Sequence, residues 1–326
     1  MTPPAEPAQL LRRVRENAGL FRLPERGVLE VSGADRVRWL DGMISADVAS
    51  LAPGGGAQGL LLTRQGRIVA DLHVLAHSES FWLELEAAAL PGVRERLAGH
   101  VIADDVAFDD LRPGLVRLAV EGPRAAERLA AAGPALRDLA AHAWREVPLG
   151  GALVTAAAYS FTGLGGFQLF APAGSAAAVY DALLATGCEP APADTLECLR
   201  IAAGVPWLGR ELDESVLPAE ARLEAAISTS KGCYTGQEVV ARMRSRGRVG
   251  HLLVGLRFEG DVLPSRGAEI EGAAGRIGQV TSSVLSPEHG AIGLGFVRAE
   301  DAEPGTALRV GGVAARVVAL PMRAGA

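Results

Sequence analysis

The stretch Ser228-Thr-Ser-Lys-Gly-Cys-Tyr-Thr-Gly-Gln-Glu238 gathers a cation, a thiol, a phenol, two glycines and a carboxylate into eleven residues that follow no apolar period. Polar side chains concentrated in a turn ahead of a helix make a ligand-facing edge. A helix beginning near Gly236 would aim its amide N–H groups and the positive end of its dipole back at Cys233, and Lys231 would add a second positive charge; both favour a thiolate. The other reading of Cys233 is a buried, inert thiol, the commonest state of a free cysteine. Lys231 is the only lysine among 32 basic residues, the other 31 being arginine. A compact ammonium fits a tight site that a planar guanidinium cannot.

Working outward, Asp194 is placed to cap a helix over Thr195–Ala203, with Glu197 three residues on and Gly204 and Pro206 as its stop. Residues 27–31 read as a strand leading into a short helix over 34–40. Residues 59–76 hold two apolar runs about the turn Arg64-Gln65-Gly66-Arg67 and read as a hairpin. A further strand is expected over 81–85, a helix over 91–99, and another strand and helix over 115–120 and 124–132. After residue 250 short apolar runs recur between Gly and Pro, as in a small β-barrel.

A length of 326 residues suits two or three domains, and 49% hydrophobic with 21% charged residues suits a folded core. The net charge of −6 gives no global attraction to nucleic acid or anionic membrane. The uncharged run between Glu146 and Asp181 is broken by Pro and Gly, so it reads as buried strands and turns, not a membrane span. No secretory signal opens the chain, and three cysteines without zinc spacing fit a reduced, cytoplasmic protein with no metal site. Arg242, Arg244, Arg246 and Arg248 would share one face if extended and could contact phosphate or a polyglutamate; if helical, only Arg242 and Arg246 align, as on a solvated face.

Lys231-Gly-Cys-Tyr-Thr-Gly-Gln-Glu238 resembles the signature of the YgfZ family of folate-binding proteins, relatives of the glycine-cleavage T-protein (GcvT, aminomethyltransferase). Similar blocks precede it at Arg200–Glu211, Leu217–Glu220, Gly33–Asp47 and the hairpin Leu60–Val74. The resemblance implies an α+β three-domain cloverleaf: two interlocked α+β domains, expected over 1–46 with 115–246 and over 47–114, and a C-terminal β-barrel over 247–326. It implies tetrahydrofolate in the central hole and a role in assembly or repair of iron–sulfur clusters, including those of tRNA-modifying enzymes, with client or assembly proteins as partners. Cys233, Lys231 and Asp71 would carry the chemistry, and Glu220, Arg200, Tyr234, Gln237 and Arg242 would hold the folate. The alternative is a tetrahydrofolate-dependent aminomethyl transferase acting on an amine, with Asp71 orienting it and Glu220 nearby; a tRNA-binding module using the arginine stripe is a third. Thr162-Gly-Leu-Gly-Gly-Phe-Gln168 departs from the T-protein turn, with Leu164 where a glutamate would hold the pterin, and Ala70-Asp71 keeps one of two paired aspartates.

Overall fold

The computed structural model describes residues 7–133, 136–247, 249–273 and 275–322. Two antiparallel hairpin strands, Gly56–Leu62 and Ile68–Ala76, form where the sequence pattern places them. Their sheet continues through Ser80–Glu86 to Arg26–Ser32 and ends at Ala107–Asp110. Strand Arg26–Ser32 therefore lies with residues 56–110, on the other side of the boundary expected at 46/47; its backbone bonds run to 80–86 and 107–110. Helices Arg36–Met43 and Leu90–Ala98 bury Trp39, Leu40, Val93 and Leu97 in the core of this unit.

The second sheet runs Glu189–Pro190, Gly19–Arg22, Leu115–Glu121, Gly166–Pro172, Ala152–Ala157, Trp144–Leu149. Gly19 pairs with Glu121, so the chain leaves this sheet after residue 22, builds the other, and returns at 115. The uncharged run forms strands of this sheet and the helix Ala176–Ala185. No helix among the described residues is long and apolar enough to cross a membrane.

The third unit is a closed barrel in the order His251–Phe258, Gly290–Arg298, Gly275–Ser286, Glu269–Gly272, Ala307–Val310, Val313–Val318. One face of the barrel joins the core of the first sheet through Leu253, Ile292, Leu294 and Phe296. The chain then returns to the helix Ala193–Ala203, where the Met322 N–H donates to the Ala202 carbonyl. Gly204 ends that helix at φ 75°, and a Cβ there would lie 2.8 Å from Leu320, so backbone conformation and close packing both require glycine.

The start of this helix differs from expectation. It begins at Ala193 after an extended Pro192, and Asp194 makes no capping bond. Glu197 turns instead to Arg200 and Arg210, at 2.7 and 2.6 Å. A fully buried guanidinium at Arg200 demands counter-charge more strongly than the first turn demands a cap.

Candidate functional site

The helix expected after the glycine-rich turn forms as Gln237–Arg246. Gly236 stands at its N-terminus with φ 85°, where a Cβ would meet the Thr63 carbonyl at 2.6 Å. Ahead of it, the segment 226–231 is stitched to residues 41–46. Ser45 Oγ donates to the Ala226 carbonyl, and the Ser228 N–H donates to the Ser45 carbonyl.

Lys231 completes that seam. Its ammonium lies within 3.1 Å of four oxygens: the carbonyls of Asp41, Ile44 and Ala46 and the Asp41 carboxylate. Its side chain is 1% exposed, and burial lowers its pKa. The Asp41 carbonyl belongs to the last turn of helix Arg36–Met43, Ile44 is its C-cap and Ala46 follows it, so the ammonium sits at the helix C-terminus, where a cation is favoured. The lone lysine is thus a clamp on a helix end. Cys233 is exposed, whereas Cys188 and Cys198 are buried, and burial pushes the Cys198 thiol up to about 11. Tyr234 packs in the core with its ring 5.5 Å from the Lys231 ammonium, and Gln237 is half-buried in the first turn of the helix. Arg242 is exposed and pairs with Glu238 at 2.7 Å. Because 242–246 is helical, the four arginines do not form an extended stripe; the Arg246 side chain and Arg248 lie outside the described residues.

Arg200 does not face a ligand. Its five N–H groups are all engaged: by Glu197 twice, by Glu211, by the Val205 carbonyl and by Ser282. It is a buried tie between the helix 193–203, the loop after it and the barrel. Glu220 accepts from the Leu217 N–H and lies 3.9 Å from Arg67, on a cleft separate from that of Asp71.

Asp71 lies on a cavity of about 400 Å³ between the two sheets and the loop 204–207. Asp71 is 3% exposed, and its Oδ1 has no hydrogen-bond partner. Burial raises its pKa, against the pull of the Arg26 guanidinium. Aromatic rings wall the cavity: His73 stacks on Tyr159 with centroids 3.9 Å apart, and Phe161 meets Trp207 edge to face at 5.3 Å. Burial takes the His73 imidazole down to about 3, so it is neutral. Trp207 Nε1 is a buried donor without a partner. Both non-glycine residues in the left-handed region among the described residues, His142 and Arg222, also line this cavity. Such strain concentrates at functional sites.

Behind the wall, Arg26 binds Glu84 through two bonds of 2.8 Å, and Arg117 from the other sheet binds the same carboxylate at 3.0 Å. Burial would raise the Glu84 pKa, but the two guanidiniums hold it near about 2. The turn 160–168 is held by buried Glu121, which accepts from Ser160, Thr162, Gln168 and the Phe161 N–H. Burial outweighs those donors and pushes its carboxyl up to about 7. Leu164 is half-buried against the same aromatic cluster.

Sequence reasoning singled out Asp71 but missed its surroundings. In the strand expected over 81–85, the signal for a buried charge was Glu84, set between Leu83 and Leu85.

Residues 7–231 match the GCVT N-terminal domain, and residues 252–322 the glycine cleavage T-protein C-terminal barrel domain. An aminomethyltransferase of Saccharopolyspora erythraea is 32% identical, over 94% of this chain and 87% of its own. One of Rubrobacter xylanophilus is also 32% identical, over 94% and 84%. The crystal structure of glycine cleavage system aminomethyltransferase T from Bartonella henselae is 26% identical and superposes with a TM-score of 0.87, covering 98% of this chain and 90% of that one. With both domain matches, the shared fold and this identity, the chain belongs to the glycine cleavage T-protein (GcvT) family.

Proposed function

We propose that the chain is a tetrahydrofolate-dependent one-carbon transferase acting on an amine at Asp71. One observation carries this reading: a buried carboxylate with an unpartnered oxygen on the wall of an aromatic cavity. The residues present fit a reduced pterin. Stacked and edge-to-face rings supply flat apolar contact, Asp71 Oδ1 accepts from an N–H, and Trp207 Nε1 donates to a carbonyl or ring nitrogen. Tetrahydrofolate, when bound, supplies a nitrogen that carries the one-carbon unit. With Oδ1 accepting the pterin N–H, the Asp71 carboxylate sets the folate nitrogen against the incoming amine, while the enclosing rings exclude water. Leu164 leaves the turn 160–168 without a carboxylate for the pterin, so Asp71 and Trp207 bear that recognition here. The relatives named aminomethyltransferase favour this reading over an accessory role.

The test is calorimetric titration with tetrahydrofolate, followed by turnover of 5,10-methylenetetrahydrofolate with a panel of amines. Wild type should bind, and Asp71→Asn should lose at least tenfold in affinity together with turnover. Equal binding by both proteins would refute the site.

A second reading is a YgfZ-type folate-binding accessory factor for assembly or repair of iron–sulfur clusters in client proteins, including tRNA-modifying enzymes. Its support is Cys233, exposed within Lys231–Glu238 on a segment clamped in place, together with Leu164. In a strain lacking such a factor, Cys233→Ala should then fail to complement although it still binds tetrahydrofolate; full rescue removes this reading.

A further inference from the structure

A second cavity lies apart from that of Asp71. It is a cleft of about 680 Å³ between the barrel, the hairpin turn and the loop 210–220, and its walls carry Arg67, Arg210, Arg266, Arg276, Arg298 and His251. In a chain of net charge −6, five arginines face three carboxylates there. Those carboxylates are already satisfied from within. Glu211 accepts from Arg200, the Trp207 N–H, Thr281 and Ser282. Asp213 accepts from the Ser215 N–H and hydroxyl, and Glu220 from the Leu217 N–H.

Among the arginines, Arg210 pairs with Glu197, Arg67 lies 3.9 Å from Glu220 and Arg266 donates to the Arg210 carbonyl, which leaves Arg276 and Arg298 as the less committed ones. His251 and Arg298 sit directly opposite each other on paired strands, and among the described residues neither side chain has a hydrogen bond or ion pair. Arg276 meets only Glu269, in a pair more than half exposed on both sides. The Arg298 guanidinium thus has all of its donors free for an anion, and the His251 ring beside it can add a further N–H. Guanidinium forks match the planar oxygens of carboxylate and phosphate, and a volume of this size holds a small molecule bearing several such groups.

We propose that this cleft binds a small polyanion, a molecule with two or more carboxylate or phosphate groups, held by Arg276 and Arg298 with His251 beside them. The inference is independent of the chemistry at Asp71. The full chain should be titrated calorimetrically with pyrophosphate and with citrate at 50 and 200 mM salt, alongside Arg276→Gln/Arg298→Gln and Asp71→Asn. One probe should bind, less tightly at the higher salt, with affinity falling at least tenfold in the double variant and unchanged in Asp71→Asn. Preference for pyrophosphate identifies a phosphate ligand, and preference for citrate a polycarboxylate. Failure of both probes to bind wild type, unchanged affinity in the double variant, or equal loss in Asp71→Asn would each overturn the proposal, and none of these results bears on tetrahydrofolate binding.

Discussion

Replacing Lys231 by Met separates a clamp from a chemical group. Methionine keeps much of the stem but removes the ammonium, leaving three backbone carbonyls and the Asp41 carboxylate without their donor. Hydrogen bonds from a charged donor contribute about 1.5–3 kcal/mol each, but the four share one ammonium with three protons and are not additive. The nearer analogue is removal of one partner from a buried ion pair, about 3–5 kcal/mol. Asp41 retains 18% exposure and two backbone N–H donors, from Val48 and Ala49, which places the expected loss at the lower end, about 3 kcal/mol. At about 2 °C per kcal/mol for a chain of this length, the unfolding midpoint should fall by roughly 6 °C. Differential scanning calorimetry reads this directly, and hydrogen exchange should show amides of residues 36–46 losing protection first. Cys233→Ser, at an exposed position, should shift the midpoint by less than about 1 °C. If Lys231→Met melted like wild type while abolishing ligand binding or turnover, the clamp would be refuted and the lysine would return to the chemistry.

Glu121→Gln should change the pH dependence of stability. The folded carboxyl titrates near about 7, against an ordinary value of 4.5, so the folded state holds this proton more tightly. The associated stability is present in full below about pH 4.5 and lost as pH rises through about 7, a difference on the order of 3 kcal/mol. The wild-type midpoint minus that of the variant should therefore decline over this window, and parallel curves would sink the argument. Arg200→Ala should cost about 3–5 kcal/mol in thermal unfolding, because it strands Glu211 in the interior; a variant of normal stability with weakened folate affinity would restore the ligand-binding role. Asp71→Asn should melt no lower than wild type, since it removes a buried charge with an unpartnered oxygen. A large fall in its midpoint would show that Asp71 supports the fold.

Local pattern made much of the architecture readable. The hairpin about Gly66, the helix after Gly236 and the barrel strands all follow from alternation, turn residues and caps within a few positions of one another. The family motif carried the three-unit fold further than periodicity alone could. What stayed hidden depends on partners far apart in sequence. Arg26 and Glu84 are 58 residues apart and Arg200 and Ser282 are 82 apart, and no local period announces such ties. Lys231 shows the same division: its singularity was visible and its need for a tight site was inferred, but the oxygens it serves lie 185 to 190 positions upstream. Glu197 had the spacing of a capping box, and tertiary demand for its charge overrode that local preference.

The junction behind the Asp71 cavity also limits how a ligand can arrive. Glu84 on one sheet holds Arg117 on the other with both side chains sealed from solvent, so swinging the sheets apart would leave unbalanced charges in a dry seam. At about 3–5 kcal/mol for such a rupture, only one molecule in some hundreds to thousands stands ajar at any moment. The gap between the sheets therefore has a nearly constant width, and a guest must be thin enough to slide in edgewise through a standing mouth.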